Sequence, residues 1–272
     1  MKNLSSRVIS AVIALSVLVV AIYFGREIGI FILALFVVVR GSFEIARMFF
    51  DETYPKFVKR LLVFLCTSIF LVISQDIFRA LSGIAIIFSF VLVTCLGIVF
   101  HKRFAKPELV LTFIAKNCLA LVYICFIPAT VVWTVQTNNG IEWFLCLLAV
   151  VFAGDIGAYI FGVKFGKTKI APQLSPNKSL QGALGGLFFS TLAALLFSIL
   201  LPNTPIYVFI MCGLFGGFLG QIGDFFESLI KRVSGVKDSG TIMPGHGGIL
   251  DRLDGVLLAA PLFYLVATNF YL

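Results

Sequence analysis

Nine stretches of this chain are predominantly apolar: roughly 8–25, 28–47, 61–75, 82–100, 109–131, 141–163, 182–201, 205–226 and 253–272. A helix needs about 20 such residues to cross the hydrocarbon of a bilayer. So many runs of that length leave little room for a water-soluble fold. Only 12% of the 272 residues are charged, about half the share in soluble domains. The expected fold is therefore all-α: a polytopic integral membrane protein with about nine transmembrane helices. The first run follows Lys2 and Arg7 and lacks a convincing small-x-small cleavage site, so it reads as a retained span.

Basic residues give the expected orientation. Assigned to alternate loops, 18 of the 21 Lys and Arg fall on one side. The other side has only Arg26 and Arg79, and Lys116 lies within a run. Basic loops mark the cytoplasmic side, which puts the N-terminus inside and the C-terminus outside. The same rule makes the polar loops 164–181 and 231–252 cytoplasmic, where nucleotides are available. The net charge of +8 fits loops meeting anionic lipid and substrate, and no nucleic-acid partner is expected. Two regions follow: residues 1–135 with about five spans, and 136–272 with the two polar loops. Within the second run, Arg40 and Glu44 are four apart and read as a local pair on one helix face. Lys116 and Asn117 are expected to face other helices or a cavity. The six cysteines lie in apolar runs without a CxxC pair and read as small buried residues.

The most polar passage begins at Gly223. It holds Asp224, Glu227, Ser228, Lys231, Arg232, Lys237, Asp238, His246, Asp251, Arg252 and Asp254. Ionisable groups beside membrane-length runs are costly and usually functional. Asp224, Glu227, Ser228 and Lys231 are spaced i, i+3, i+4, i+7 and share one helix face. Asp251 and Asp254 share a face if a helix starts there. Pro244-Gly245-His246-Gly247-Gly248 between them cannot be regular helix, and its glycines permit close backbone approach to a ligand. Carboxylates suit a hard cation such as Mg²⁺, and Lys with Arg suits phosphate. Together they point to metal-assisted phosphoryl or nucleotidyl transfer. A plain cytoplasmic anchor would account for the basic residues, but not for aspartates at the helix ends or the glycine turn.

A second constellation lies upstream. Asp155 and Tyr159 are four apart on one helix face, and the small residues Ala153, Gly154, Gly157 and Ala158 permit close helix packing. The following loop offers four lysines and the segment Ser175-Pro176-Asn177-Lys178-Ser179. Ser and Lys beside a proline turn, ahead of the next span, can present hydroxyl, ammonium and backbone N–H groups to a phosphate.

These residues carry a resemblance. The run Ser228-Leu229-Ile230-Lys231-Arg232, then Lys237-Asp238, then Pro244-Gly245-His246-Gly247-Gly248-Ile249-Leu250-Asp251-Arg252-Leu253-Asp254 resembles the signature of the phosphatidate cytidylyltransferases, or CDP-diacylglycerol synthases. Gly223-Asp224, Glu227-Ser228, Asp155 with Tyr159, and Ser175-Pro176-x-Lys178-Ser179 are also similar to that family's pattern. The likeness covers roughly 150–255. One departure is Gln181-Gly182, where the family usually has Glu-Gly. The resemblance implies condensation of CTP with phosphatidate to CDP-diacylglycerol and pyrophosphate, for phospholipid biosynthesis. It implies an active site facing the cytoplasm in the inner (plasma) membrane, and a homodimer. Carried over, Asp224, Asp251 and Asp254 would hold Mg²⁺, with room for a second cation. Lys231, Arg232, Lys237, Arg252, His246 and Asp238 would complete the catalytic set. Ser175, Lys178, Ser179, Asp155, Tyr159, Glu227 and Ser228 would serve substrate and nucleotide binding. A CTP-using lipid kinase would need similar groups but would release CDP.

Overall fold

A computed structural model of the protein describes residues 12–242 and 247–270, apart from the side chain of Phe78. His246, with Pro244 and Gly245, lies outside the described residues, as do the outer ends of the first and last apolar stretches. The described chain is mostly helical. Among the described residues six helices are long and apolar enough to cross a membrane: Val12–Phe49, Ser82–Val99, Pro107–Val135, Gly140–Phe165, Leu180–Ile199 and Ile206–Val233. Many large apolar side chains on them face outward, among them Phe88, Leu111, Tyr159 and Phe188. That is the surface of a protein solvated by lipid, and the chain is a multi-pass membrane protein.

Val12–Phe49 is not one straight rod. Arg26 has φ 45°, and Gly29 presses on the carbonyl of Ala21. Eight residues of continuous helix would separate those positions by about 12 Å. The chain therefore turns sharply at Arg26, dividing α1 (12–25) from α2 (Arg26–Phe49). The next helices are α3 (Phe57–Ile73) and α4 (Ser82–Val99), with a single turn Asp76–Arg79 between them. Then come α5 (Pro107–Val135), α6 (Gly140–Phe165), α7 (Leu180–Leu196), α8 (Ile206–Val233) and α9 (Leu250–Asn269). Pro107 opens α5 at a position where its missing N–H costs nothing.

The chain divides into two compact units. The first comprises the residues up to Trp133 together with Asp238–Leu250. Its core includes Ile45, Val58, Leu62, Cys66, Phe70 and Phe113, all buried. Trp133 donates its indole N–H to the Ile73 carbonyl at 2.9 Å, fixing α5 to the end of α3. Lys116, expected to face other helices, donates to the carbonyl of Phe49, and its ammonium stands 4.8 Å from the Tyr54 ring centre. It therefore closes the open end of α2.

Glu44 departs from the expected local pair. It makes no ion pair with Arg40. It is 3% exposed and receives the Ser239 hydroxyl at 2.8 Å, the Ile249 N–H at 2.9 Å and the Leu250 N–H at 3.1 Å. The segment Asp238–Leu250 groups with the first unit for this reason, although its sequence reads as a loop of the second region.

The second unit is Thr134–Lys237 with the chain from Asp251 on. Its spine is the close antiparallel pair α6 and α7. A Cβ on Gly157 would stand 2.7 Å from the Gly185 carbonyl, and one on Gly182 would stand 2.8 Å from that of Ala158. Glycine is the residue that lets two helices approach so closely. Ser190 on α7 donates to the Val150 carbonyl at 2.8 Å, and Gln221 on α8 donates to that of Ala183 at 3.0 Å. The loop between α6 and α7 adds one element that an all-α reading omits. It is a small antiparallel hairpin of β1 (Lys169–Ala171) and β2 (Ser175–Ser179), with Lys169 opposite Ser179 and Ala171 opposite Ser175. Both strands are edges, which tolerates Pro176.

Candidate active site

The polar residues of the second unit gather around the last turns of α8 and the first turns of α9. The approach of these helices depends on Gly223, which packs against the Asp254 carbonyl so tightly that a Cβ would overlap it. Gly255 lies against Gly220, where a Cβ would stand 3.1 Å from the carbonyl. Larger residues there would push the two carboxylate-bearing segments apart. α8 ends in a Schellman turn. The Val236 N–H bonds the Lys231 carbonyl at 3.0 Å and the Gly235 N–H that of Arg232 at 3.2 Å. Gly235 has φ 68°, the left-handed conformation this turn demands.

The predicted face of α8 is present. Glu227 is 1% exposed, and its Oε2 receives Lys231 Nζ at 2.8 Å. The same ammonium reaches Asp251 Oδ1 at 2.7 Å, so Lys231 holds one carboxylate from each helix. One turn earlier, Asp224 Oδ2 pairs with Lys178 Nζ at 2.5 Å, while Oδ1 is 3.5 Å from the Ser228 hydroxyl. Lys178 comes from β2 and stands 3.9 Å from the centre of the Phe225 ring. Asp254 accepts the Gly255 N–H at 2.8 Å. The charge acting on Asp254 most strongly is that of Asp224, with Glu227 and Lys231 also beside it. Asp155 on α6 lies within range of the charges of Asp254, Asp224 and Lys178.

The carboxylates predicted to share one cation are thus divided. Asp251 is turned onto Lys231, while Asp224 pairs with Lys178 and lies within range of the Asp254 charge. Among the described residues no three His, Cys, Asp or Glu side chains converge as a metal-binding group. What remains fits an ion that takes one or two carboxylates and fills its shell with water and substrate phosphate, as Mg²⁺ commonly does.

The other predicted residues are placed as follows. Ser179 is buried and caps α7, accepting the Gly182 N–H at 3.2 Å, so its oxygen has a structural use. Ser175 is half-buried on β2. Arg232 Nε is 3.4 Å from the Leu174 carbonyl, tying the hairpin to the end of α8. Tyr159 is 72% exposed, one turn from Asp155. Lys237, Asp238 and Arg252 are exposed, and Asp238 belongs to the first unit. Gln181 accepts the N–H groups of Lys167 at 3.0 Å and Thr168 at 3.2 Å. It pins the lysine-bearing loop, and lines a cavity of about 380 Å³ with Lys164 and Lys167.

Sequence reasoning did not find Phe225, on which Lys178 rests, or the Gly223 and Gly255 crossing. The glycine spacing at 220, 223 and 255 was the available signal for the crossing.

Fold and site together define a helical membrane protein that sets carboxylates and ammonium groups side by side at adjoining helix ends. The profile of the cytidylyltransferase family matches residues 5–270, and the chain belongs to that family. Its relatives include the phosphatidate cytidylyltransferase of Staphylococcus saprophyticus, 42% identical over 130 residues, covering 47% of this chain and 50% of that protein. That of Bacillus subtilis strain 168 is 41% identical over 133 residues, 48% of this chain and 49% of that one. The chain thus spans about half the length of the curated relatives it matches.

Proposed function

We propose that the chain is a phosphatidate cytidylyltransferase, joining CTP to phosphatidate to give CDP-diacylglycerol and pyrophosphate. The observation that carries the reading is the set of charged groups at the same helix ends: Asp224 paired with Lys178, Asp251 paired with Lys231, and Asp254 within reach of the Asp224 charge. The names of the relatives favour phosphatidate as the acceptor.

The attacking atom is a phosphate oxygen of phosphatidate, ionised near neutral pH, so no strong general base is needed. It forms a new bond to the α-phosphorus of CTP as the bond from that phosphorus to pyrophosphate breaks. The difficulty is repulsion between two anions. Asp224 and Asp254 would hold Mg²⁺, which when bound offsets phosphate charge as pyrophosphate leaves. Lys178, resting on Phe225 and able to exchange Asp224 for a phosphate oxygen, places positive charge where CTP binds. Lys231 keeps Glu227 and Asp251 from adding their charge to the site.

The acyl chains of phosphatidate stay in the bilayer, which explains why such a site belongs on membrane helices. The full reading has nine spans, the N-terminus and the site on the cytoplasmic side of the plasma membrane, the C-terminus outside, and a homodimer. The basic-loop asymmetry supports that orientation.

The test is an assay of the purified full chain with CTP labelled in the cytidine, phosphatidate in mixed micelles, and Mg²⁺ present or chelated. Label entering lipid with release of pyrophosphate, only with Mg²⁺, is the expected result. Release of CDP with no labelled lipid would replace the transferase with a kinase.

A further inference from the structure

We propose that Glu44 is a positioning residue, the internal anion against which Ser239, Gly240 and Gly248–Leu250 pack and from which α9 takes its start. The proposal rests on the function above for its consequence, but not for its geometry.

α9 begins at Leu250. The first N–H groups of any helix have no partner within it and need an acceptor. The residues just ahead, Gly247, Gly248 and Ile249, carry no side-chain oxygen, so the usual local cap is missing. Glu44 supplies it from another helix. Its Oε1 accepts the Ile249 N–H and its Oε2 the Leu250 N–H, across 205 and 206 residues of chain. The Ser239 hydroxyl closes the other side of Oε2 at 2.8 Å. A carboxylate at this end of a helix is also favoured by the helix dipole.

Two glycines show that the loop is shaped to this carboxylate. A Cβ on Gly240 would stand 2.6 Å from Glu44 Oε1 and 2.9 Å from its Cδ. A Cβ on Gly248 would overlap Glu44 and Ser239. The close approach that these glycines permit is thus to an internal side chain. With both oxygens committed to protein donors, Glu44 has no role as a substrate or metal ligand. Its effect passes down the chain, because Asp251 and Asp254 ride on the first turn and a half of the helix it starts. Losing it would let that turn fray and spread the positions of both carboxylates.

The test uses the full chain in detergent micelles, comparing native protein with Glu44→Gln and Glu44→Ala. Two readouts are taken together. Hydrogen exchange reports the amides of 247–252 directly, whatever the reaction. Steady-state kinetics with CTP and phosphatidate report kcat and KM separately. The expected result is exchange at 249 and 250 faster by about tenfold or more in both variants. It is accompanied by kcat reduced about ten- to a hundredfold with KM for either substrate within about threefold. Glu44→Gln should be the milder, since an amide keeps one acceptor oxygen. Should Glu44→Ala fail to fold, Glu44→Gln carries the test.

A third arm checks the glycine argument. Gly240→Ala should cost stability in the native background and distinctly less in Glu44→Ala, a non-additivity expected only if the two groups compete for one space. Unchanged exchange at 249 and 250 in both variants overturns the proposal. So does faster exchange with unaltered kcat, since the carboxylate would then hold the loop without serving the site. If the native protein makes no CDP-diacylglycerol, the assigned function fails instead, while the exchange and glycine arms still decide whether Glu44 anchors the segment.

Discussion

The two units each hold carboxylates, and they treat them in opposite ways. Glu44 in the first unit is enclosed by an N–H pair and a hydroxyl, with both oxygens satisfied. Asp224 and Asp254 in the second unit lie within range of one another's charge and of that of Asp155, with the Lys178 ammonium on Asp224. A buried carboxylate with donors on every side is there for structure. Carboxylates held together at a shared electrostatic cost mark a place prepared for positive charge from elsewhere. The first kind should fail by loss of order when altered, and the second by loss of chemistry with the fold intact.

The sharpest way to break this contrast is to neutralise that aspartate pair. Asp254→Asn and Asp224→Asn should each lower kcat by about a hundred- to a thousandfold. Thermal unfolding of either variant should be unchanged or slightly raised, because repulsion inside the site is relieved. A variant that unfolds markedly earlier while keeping native turnover would reverse the assignment and make the pair structural.

Lys231 sits between the two kinds, and the next effect sharpens the comparison. Its side chain is 16% exposed and it bonds both Glu227 and Asp251. Lys231→Met strands two largely buried carboxylates, which costs about 3 kcal/mol or more in such pairs. The expected outcome is a clearly lower unfolding temperature, partly recovered in the double variant Lys231→Met with Glu227→Gln. Full stability with weakened CTP binding would move Lys231 from the structural set to the substrate-binding one.

These cases also show how far the residues alone could be read. The face Asp224, Glu227, Ser228 and Lys231 was legible because helical spacing decides it locally, whatever lies around. Spacing also put Asp251 and Asp254 on one turn, but not the division of labour between them. That depends on Lys231 reaching across to Asp251 and on Gly223 lying under the Asp254 backbone, both set by helix packing. Glu44 was misread for a similar reason. Arg40 is four residues away and offers a local partner, whereas the real donors come from about 200 positions further along. The break at Arg26 was legible, since Gly25, Arg26 and Glu27 separate the apolar runs 8–25 and 28–47. The apolar lengths likewise depend on composition alone, and they gave the helical membrane class directly.

The smallest effect concerns Gln181, where the resemblance expects a glutamate. If this position bound metal, the missing charge would be a defect, and Gln181→Glu should raise Mg²⁺ affinity and turnover severalfold. The contacts argue otherwise. One oxygen accepts the Lys167 and Thr168 N–H groups, and either side chain offers such an oxygen. The amide N–H₂ is 3.5 Å from the Thr168 hydroxyl, which can turn and donate to a carboxylate instead. Gln181→Glu should therefore change stability by no more than about 0.5 kcal/mol, and kcat and the Mg²⁺ dependence by less than about threefold. Gln181→Ala removes the acceptor from two backbone N–H groups, loosens the loop carrying Lys167, and should raise KM for CTP more than it lowers kcat. If the alanine variant proves silent and the glutamate variant strongly activating, position 181 belongs with Asp224 and Asp254 among the groups that wait for a cation.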